Sequence, residues 1–338
     1  MTKRGIRYYG GALSGTENDH YWANQMFVEY SIPDEVKHPY PLVFFHGAGQ
    51  TNVNWLTTPD GRMGWAEYFL EQGYAVYLAE QPARGRSAWH PDVNGKTMHH
   101  PAENLINRFT TDQGRWPQAR KHTQWPGDGT DLNSDTMRQF LSSQVEYLPS
   151  NAESQRLVLA AGQELLKEIG PAVLVTHSQA GPFGWLLGDA CPELVKGIVA
   201  MEPTSPPFGR DLSTPTAKDY GLASLPLHYD PPVSSPADFS LEILKAPAED
   251  LNDGWIMKED RKLPRLAGIP ILLMVSEASY HAQSDHLVSH LLDHCGVDHD
   301  FVRLEDQGIC GNGHMMMLEM NNLEIAGFIN NWFTQKQL

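Results

Sequence analysis

A serine at position 178 has the surroundings of a catalytic nucleophile. It lies in VTHSQAGPFG, residues 175–184, between a stretch typical of a buried strand and one typical of a helix. Nucleophilic serines occupy such sharp turns in the pattern G-x-S-x-G, whose glycines let the strand and the helix approach each other. Here Thr176 and Ala180 replace those glycines, and Gly181 follows directly. Because Ala180 adds only a methyl group and Thr176 can face a neighbouring strand, we predict Ser178 as the nucleophile.

A serine hydroxyl is a poor nucleophile at neutral pH unless a histidine accepts its proton and an acid orients that histidine. His314 is the candidate base, in the glycine-rich segment GICGNGHMMMLEM. It follows the last predicted strand, where a loop can carry a side chain over a serine at the carboxyl edge of a sheet. We therefore predict that His314 is the general base.

The elements that must position these side chains alternate regularly between strands and helices. A half-buried strand is predicted at 24–32, and it is expected to pair with a strand that precedes it in the chain. Further strands are predicted at 41–47, 74–82, 172–177, 196–202, 269–277 and 300–306. Helices are predicted at 64–73, at 154–171 with Ser154 as its cap, after Ser178, near 283–295 and from about His314. This alternation predicts an α/β fold with at least five parallel strands.

Four motifs, which together cover the chain, resemble those of the α/β-hydrolase superfamily. FFHGAGQ resembles its first strand and oxyanion loop, EQPARGRS its D-x-x-G-x-G-x-S loop, THSQA its nucleophile turn and GNGHMMML its histidine loop. The resemblance implies the α/β-hydrolase fold, a mostly parallel twisted sheet flanked by helices. It also implies the chain order serine, acid, histidine.

The acid of the superfamily usually follows the strand that corresponds to ILLMVSE, but Ser276 stands where that aspartate would fall. The other recurrent position follows the preceding strand, where IVAMEP places Glu202. This arrangement resembles a small branch of bacterial and fungal esterases that carry a glutamate there, and segments 116–127 and 220–232 resemble the lid of that branch. Glu202 is the predicted acid, and Asp285 is the reserve candidate.

The same resemblance implies an oxyanion hole. Its donors would be the backbone N–H groups of Gln179, which follows the nucleophile, and of Ala48 in HGAGQ. Small residues in HGAGQ let this loop approach a substrate oxygen closely. His46 is either a residue that orients the loop or a packed side chain without that role.

One domain, 1–338, is expected, because α/β folds of this length often carry insertions rather than a second domain. Two long segments, 87–153 and 203–266, interrupt the alternation and are predicted to be lid insertions over the active site. Their aromatic residues favour a substrate with a hydrophobic or aromatic portion, although packing is the simpler explanation for each one alone. These residues are Trp116, Trp125, Phe140, Tyr147, Phe208 and Tyr229.

Composition argues against several classes of partner. The formal net charge is −16, from 41 acidic and 25 basic residues that are scattered along the chain. Such a surface repels phosphate backbones and anionic lipid, so nucleic-acid or membrane binding is not expected. No apolar run reaches the length of a signal peptide or a transmembrane helix, which favours a cytoplasmic location. Cys191, Cys295 and Cys310 form no metal-binding or disulfide pattern.

Histidines at 286, 290 and 294 would share one helix face, as two zinc ligands do in H-E-x-x-H. No glutamate accompanies the first of them, so we expect an ordinary histidine stripe, and the same holds for HPDVNGKTMHH at 90–100. ARGRS lacks the spacing of a phosphate-binding loop, and no G-x-G-x-x-G follows the first strand. We expect no metal and no organic cofactor.

The predicted function is that of a serine hydrolase that cleaves a carboxylic ester or lactone through an acyl-enzyme intermediate. Its catalytic residues would be Ser178, His314 and Glu202, its partner a small-molecule ester, and a homodimer is left open. Two alternatives remain. One is lyase or carbon–carbon bond chemistry on the same fold, and the other is a non-catalytic small-molecule binding protein, because a fold alone permits either.

Overall fold

Two sheets form the framework of residues 2–111, 114–213 and 219–338, which the computed structural model describes. The strands are β1 (Lys3–Thr16), β2 (Asp19–Ile32), β3 (Leu42–Phe45), β4 (Val76–Glu80), β5 (Ala172–His177), β6 (Val195–Met201), β7 (Leu241–Leu244), β8 (Gly254–Met257), β9 (Ile271–Val275) and β10 (Asp300–Arg303). The main sheet has the order β1-β2-β4-β3-β5-β6-β9-β10, and β7 pairs with β8 separately. From β4 to β10 all neighbours are parallel, whereas β1 and β2 form an antiparallel hairpin at one edge.

Helices connect these strands. They are α1 (Val53–Leu56), α2 (Trp65–Gln72), α3 (Pro91–Asn94), α4 (Ala102–Leu105), α5 (Asp135–Ser142), α6 (Asn151–Ile169), α7 (Gly181–Ala190), α8 (Asp285–His294) and α9 (Asn322–Lys336). Short 3₁₀ turns occur at Pro117–Lys121, Ser178–Ala180, Pro236–Asp238, Tyr280–Gln283 and Leu304–Gln307, and a π-turn at Ile106–Thr110. The helices lie on both faces of the sheet, so the predicted α/β fold is confirmed.

Strand β3 shows why the central strands read as continuous apolar runs. All four of its residues are buried, because alternate side chains enter different hydrophobic cores. Val43 and Phe45 pack with α6, α7 and α8, whereas Leu42 and Phe44 pack with α1, α2 and α9. The sheet therefore separates two cores, and its carboxyl edge is left for loops.

Two predicted helix boundaries were wrong. Helix α6 begins at Asn151, because the Ser150 hydroxyl accepts the Glu153 N–H as the cap, while Ser154 is buried inside the helix. The last helix begins at Asn322 rather than near His314. Residues 315–317 are three consecutive fully buried methionines, which a helix with a single apolar face cannot bury together.

The two segments predicted as insertions lie on opposite faces of the sheet. Segment 87–153 contributes Phe109 and Phe140 to the core beneath α2 and α9, and segment 203–266 contributes Phe208 and Trp255 to the other core. The second segment contains β7 and β8. Both segments therefore pack against the body of the domain.

No helix in the described ranges is long and apolar enough to cross a membrane. The three cysteines are free thiols: Cys191 and Cys295 are buried, and Cys310 is exposed.

Candidate active site

The predicted site residues lie in loops at one edge of the sheet. Ser178 follows β5, Glu202 follows β6, and His314 lies beyond β10. Because parallel strands place their carboxyl ends at the same edge, loops distant in sequence meet there. The loop after β9, residues 276–279, enters the same region.

The Ser178 turn has the backbone of a strained strand-to-helix corner, with φ of 57° at the serine. Helix α7 packs closely against the chain after β6: a Cβ on Gly181 would lie 2.3 Å from the Cβ of Pro203. Ala180, by contrast, carries its methyl group in a fully buried position. The glycine requirement of the turn therefore falls one residue later than in G-x-S-x-G.

Thr176, the other departure from that pattern, is accommodated by β6. Its Oγ1 donates a hydrogen bond of 3.2 Å to the carbonyl oxygen of Val199. Gly184 lies beside it, because a Cβ there would be 3.4 Å from Thr176 Cγ2 and 3.0 Å from Ile198 Cγ2. The threonine is thus compatible with close approach of α7.

His314 and Glu202 are directly paired. His314 Nδ1 lies 2.5 Å from Glu202 Oε2, and the two side chains are 2% and 0% exposed. The Ser276 N–H donates to Glu202 Oε1 at 2.8 Å, and the Ser279 hydroxyl donates to Oε2 at 2.6 Å. The loop that usually carries the acid therefore supplies hydrogen-bond donors to an acid from the neighbouring strand.

Burial acts on both members of this pair. It raises the pKa of the Glu202 carboxyl, as does the charge of Asp285, and the hydrogen bonds from Ser279 and Ser276 oppose this rise. Burial also lowers the pKa of His314 well below its ordinary value, helped by His177, His281 and Arg108. Protonation of the imidazole by solvent is therefore disfavoured in the resting site.

Asp285 is bound to a different histidine. Its Oδ1 lies 2.8 Å from His281 Nδ1 and accepts a hydrogen bond of 2.7 Å from the Ser205 hydroxyl. The His281 ring stacks on the His314 ring, with centroids 4.9 Å apart and planes 8° from parallel. The structure thus brings Glu202, and not Asp285, to His314.

Ser178 and His314 line the same cavity, of about 80 Å³. Within the described residues, however, the Ser178 hydroxyl makes no hydrogen bond to His314, whose Nε2 lies 3.4 Å from the Tyr280 hydroxyl. The His177 ring, which precedes the serine, holds the His314 carbonyl through a hydrogen bond of 2.9 Å from its Nε2. Catalytic hydrogen bonds in ligand-free enzymes are often long and tighten only with substrate.

The residues predicted for the oxyanion hole also lie beside the serine. Ala48 lines both the 80 Å³ cavity and a second cavity of about 260 Å³, and Gln179 lines the second. Gly47 makes the approach possible, because a Cβ there would lie 3.0 Å from the Cβ of Ser178. Gln179 is the second residue of the helical turn Ser178–Ala180, where N–H groups have no intrahelical acceptor.

Arg84 joins the two sides of this predicted hole. Its buried guanidinium donates to the Gly47 carbonyl at 2.9 Å and to the Gln179 side-chain oxygen at 3.1 Å. Burial lowers the pKa of Arg84 to about 9. The sequence analysis compared EQPARGRS with a superfamily loop and rejected ARGRS as a phosphate-binding loop, but it assigned no role to Arg84, although the position of Arg84 in the loop after β4 was a usable signal.

His46 holds the loop after β3 from behind. Its Nδ1 lies 3.0 Å from the Gly47 carbonyl oxygen, and its Nε2 accepts the Gln81 N–H at 3.3 Å. The Gln81 side chain donates in turn to the His46 carbonyl at 2.9 Å. A neutral imidazole satisfies both contacts, and burial lowers its pKa to about 3.

Three further residues near the serine were not anticipated from sequence. Tyr280 lies in the loop after β9 that usually carries the acid, and burial raises its pKa. The Phe109 ring stacks on His314 with centroids 5.2 Å apart, and Arg108 lines the same cavity. Attention to the whole loop after β9, rather than only to its missing aspartate, would have found Tyr280.

Packing, the simpler explanation for each of the six aromatic residues of segments 87–153 and 203–266, describes most of them. All six are buried, and of the six only Tyr147 lines a cavity that contains Ser178. Trp116 lines a larger neighbouring cavity. Phe208 and Tyr229 instead pack against Phe239. Packing prevails because these large rings bury more apolar surface in the cores than at an open cavity.

One group of possible metal ligands occurs among the described residues: Glu202, His281 and His314, whose ligand atoms lie within 4.8 Å of one another. An imidazole binds a metal through a lone pair in its ring plane, and the nearly parallel rings of His281 and His314 do not direct theirs to one point. In addition, His314 Nδ1 and Glu202 Oε2 are already joined to each other by a hydrogen bond. The 286, 290 and 294 histidines are not among the possible metal ligands.

Comparison with known proteins gives a close relative. "Probable secreted lipase phiG" from Fungal sp. (strain ATCC 74256) is 43% identical over 316 residues, which cover 92% of this chain and 86% of the relative. No protein-family model matches.

Solved structures agree on the fold. A structure described as that of a novel bacterial esterase superposes with a TM-score of 0.72 at 24% identity, over 99% of this chain and 96% of that one. The structure of esterase Est22 gives a TM-score of 0.50 at 12% identity, over 99% and 82% of the two chains. These likenesses establish the fold.

The fungal relative also corrects the cytoplasmic location favoured from the sequence. Its name describes a secreted protein, which points to the extracellular side. The earlier expectation depended only on an absent apolar segment, and such an absence does not fix a compartment. At 43% identity over 92% of its length, the chain belongs to the family of this lipase relative, and it has the α/β-hydrolase fold.

Proposed function

We propose that the protein hydrolyses a carboxylic ester or lactone through an acyl-enzyme intermediate, with Ser178 as nucleophile, His314 as general base and Glu202 as the orienting acid. The observation that carries this proposal is the buried 2.5 Å contact between His314 Nδ1 and Glu202, on the wall of the cavity that contains Ser178. The name of the fungal lipase relative supports ester hydrolysis.

In the first half of the reaction, Ser178 Oγ attacks the ester carbonyl while His314 Nε2 accepts the hydroxyl proton. The carbonyl electron pair moves to oxygen, and the N–H groups of Ala48 and Gln179 stabilise that oxyanion. When the tetrahedral intermediate collapses, the imidazolium returns the proton to the departing alcohol. Glu202 holds Nδ1 protonated throughout, which leaves the Nε2 lone pair free to act.

In the second half, water attacks the acyl-serine with the same base and the same oxyanion donors, and the carboxylic acid is released. The mechanism requires a hydrogen bond between Ser178 and His314. Both side chains line one cavity, and Tyr280 must release His314 Nε2 for this hydrogen bond to form.

The segments 87–153 and 203–266 are proposed to act as the lid of this single domain. Residues from both segments line cavities that contain Ser178: His100 and Phe109 from the first, Thr204 and Arg210 from the second. Phe109, Tyr147 and Tyr280 supply apolar surface for a hydrophobic or aromatic portion of the ester.

Covalent labelling tests the proposal. The intact protein is incubated with a fluorophosphonate probe, digested and mapped by mass spectrometry, and its turnover of 4-nitrophenyl butyrate is recorded in parallel. We expect one probe on Ser178 and a burst of 4-nitrophenol equal to the enzyme concentration. Ser178→Ala should lose both.

Ser205→Ala is the matched control, because Ser205 is a buried serine near the site whose hydroxyl is bound to Asp285. It should retain labelling at Ser178. A folded protein that neither reacts with the probe nor turns over any ester of a small panel would instead be a binding protein on this fold.

A further inference from the structure

Three arginine side chains line a cavity of about 700 Å³ beside the Ser178 site: Arg108, Arg115 and Arg210. Arg108 also lines the 80 Å³ cavity that contains Ser178. Arg210 also lines the 260 Å³ cavity that contains Ser178. Tyr280 forms part of the wall of all three cavities. The large cavity therefore shares wall residues with both cavities that contain Ser178.

These arginines are not neutralised by the protein, as far as the chain is described. None of the arginine ion pairs among the described residues includes Arg108, Arg115 or Arg210. Asp253, the one carboxylate among the described residues that line the large cavity, is bound by Lys245 at 2.7 Å. In a chain with 41 acidic and 25 basic residues, three arginines that have no acidic partner among the described residues are an unusual local excess of positive charge.

Two of the three guanidinium groups are held by the cavity wall. Arg210 Nη2 donates to the Ser205 carbonyl oxygen at 3.2 Å, and the Arg108 guanidinium lies over the Tyr280 ring, 5.1 Å from its centroid. A guanidinium has five N–H donors, so each contact leaves most of them available. Such donors match a carboxylate in a two-pronged geometry that a lysine cannot reproduce.

We propose that this cavity binds an anionic group of the substrate, so that the preferred esters carry a free carboxylate, or a group of the same charge and shape, at a distance from the scissile carbonyl. The net charge of −16 repels such a substrate at long range, and a local cationic wall is what admits it. This inference rests on the proposed ester hydrolysis at Ser178.

A matched pair of substrate series tests the inference. One series consists of mono-4-nitrophenyl esters of linear dicarboxylic acids with four to eight carbons. In the other, the free carboxylate is replaced by a primary amide of the same size. Release of 4-nitrophenol is followed with the spontaneous rate subtracted, and kcat/KM of each acid is divided by that of its amide. We expect a ratio of at least ten at one chain length, falling severalfold in 0.5 M NaCl.

The double variant Arg108→Gln/Arg210→Gln should bring that ratio to about one, chiefly through KM of the acid series. The corresponding double lysine variant should give an intermediate ratio, because it keeps the charge and loses the forked donors. Arg138→Gln is the control for a change of net charge, since Arg138 is an exposed arginine of α5 paired with Asp135. It should leave the ratio unchanged.

A wild-type ratio at or below one at every chain length overturns the anionic subsite while ester turnover and Ser178 labelling still stand. A ratio that survives the double glutamine variant overturns the assignment to these arginines. If neither series is turned over and Ser178 is not labelled, the proposed hydrolysis fails, and this inference fails with it. Should the double variant not fold, the chain-length and salt dependence of the wild-type ratio decide alone.

Discussion

The hydroxyl of Ser279 donates a hydrogen bond of 2.6 Å to Glu202 Oε2, the same oxygen that lies 2.5 Å from His314 Nδ1. Ser279 belongs to the loop after β9, and Glu202 follows β6. The short hydrogen bond from the Ser279 hydroxyl and the one from the Ser276 N–H offset part of the free-energy cost of burying the Glu202 carboxylate completely. The loop that lacks the usual aspartate thus supplies hydrogen-bond donors to Glu202, the carboxylate that follows the neighbouring strand β6.

Replacement of Glu202 by glutamine should reduce kcat about 10³- to 10⁴-fold, because the amide no longer favours the tautomer that has its free lone pair at Nε2. Asp285→Asn should reduce kcat by less than about tenfold, since Asp285 is bound to His281. Steady-state kinetics with 4-nitrophenyl butyrate distinguishes the two. The opposite ranking would assign the acid to Asp285.

Loss of the Ser279 hydroxyl should shift the acid limb of the pH profile. The hydroxyl stabilises the charged carboxylate and so lowers the pKa of Glu202. In Ser279→Ala that pKa rises further, and the acid limb of kcat/KM should move to higher pH. Ser284→Ala is the control, because its hydroxyl is bound to Ser205 instead. An identical limb in both variants would mean that Ser279 has only a structural role.

Arg84→Met should lower kcat by about 10- to 100-fold with little change in KM, because Arg84 aligns the Gly47 loop with Gln179. A trifluoromethyl ketone inhibitor, whose bound form carries an oxyanion, should lose affinity by a similar factor. If kcat falls while that affinity is kept, the residue acts on folding rather than on the oxyanion hole.

Stability should fall as the pH drops below the ordinary histidine pKa. Burial lowers the pKa of His46 and of His177 to about 3, whereas both titrate near 6.5 in the unfolded chain. The unfolded state therefore binds more protons between these values, so stability is fully present above about pH 6.5 and is lost as the pH falls towards 3. Each group contributes a slope of about 1.4 kcal/mol per pH unit well inside that window.

Urea unfolding between pH 8 and pH 4.5 measures this dependence. His46→Asn should remove about 1.4 kcal/mol per pH unit from the slope, together with some stability at pH 8 where the Gln81 N–H loses its acceptor. An unaltered slope in that variant would show that His46 is not buried in its neutral form.

The sequence by itself determined the order of the main parallel strands and placed the candidate nucleophile, Ser178, directly after one of them. Strand 172–177 has the predicted bounds, because a continuous apolar run that ends at a turn is a signal carried by neighbouring residues. The Ser178 turn is equally local, since Gly181 and Ala180 already limit the bulk between strand and helix. That His314 follows the last strand could be predicted from the order of the elements along the chain.

Tertiary structure decided which acid meets His314, since the sequence left Glu202 and Asp285 both open. The Glu202–His314 contact joins residues 112 positions apart, and its formation depends on strand order and on side-chain direction at the sheet edge. The sequence likewise did not reveal where the last helix begins, nor that Arg108 and Arg210 line the same cavity. Periodicity and turn chemistry act over a few residues, whereas these contacts depend on how distant segments share buried space.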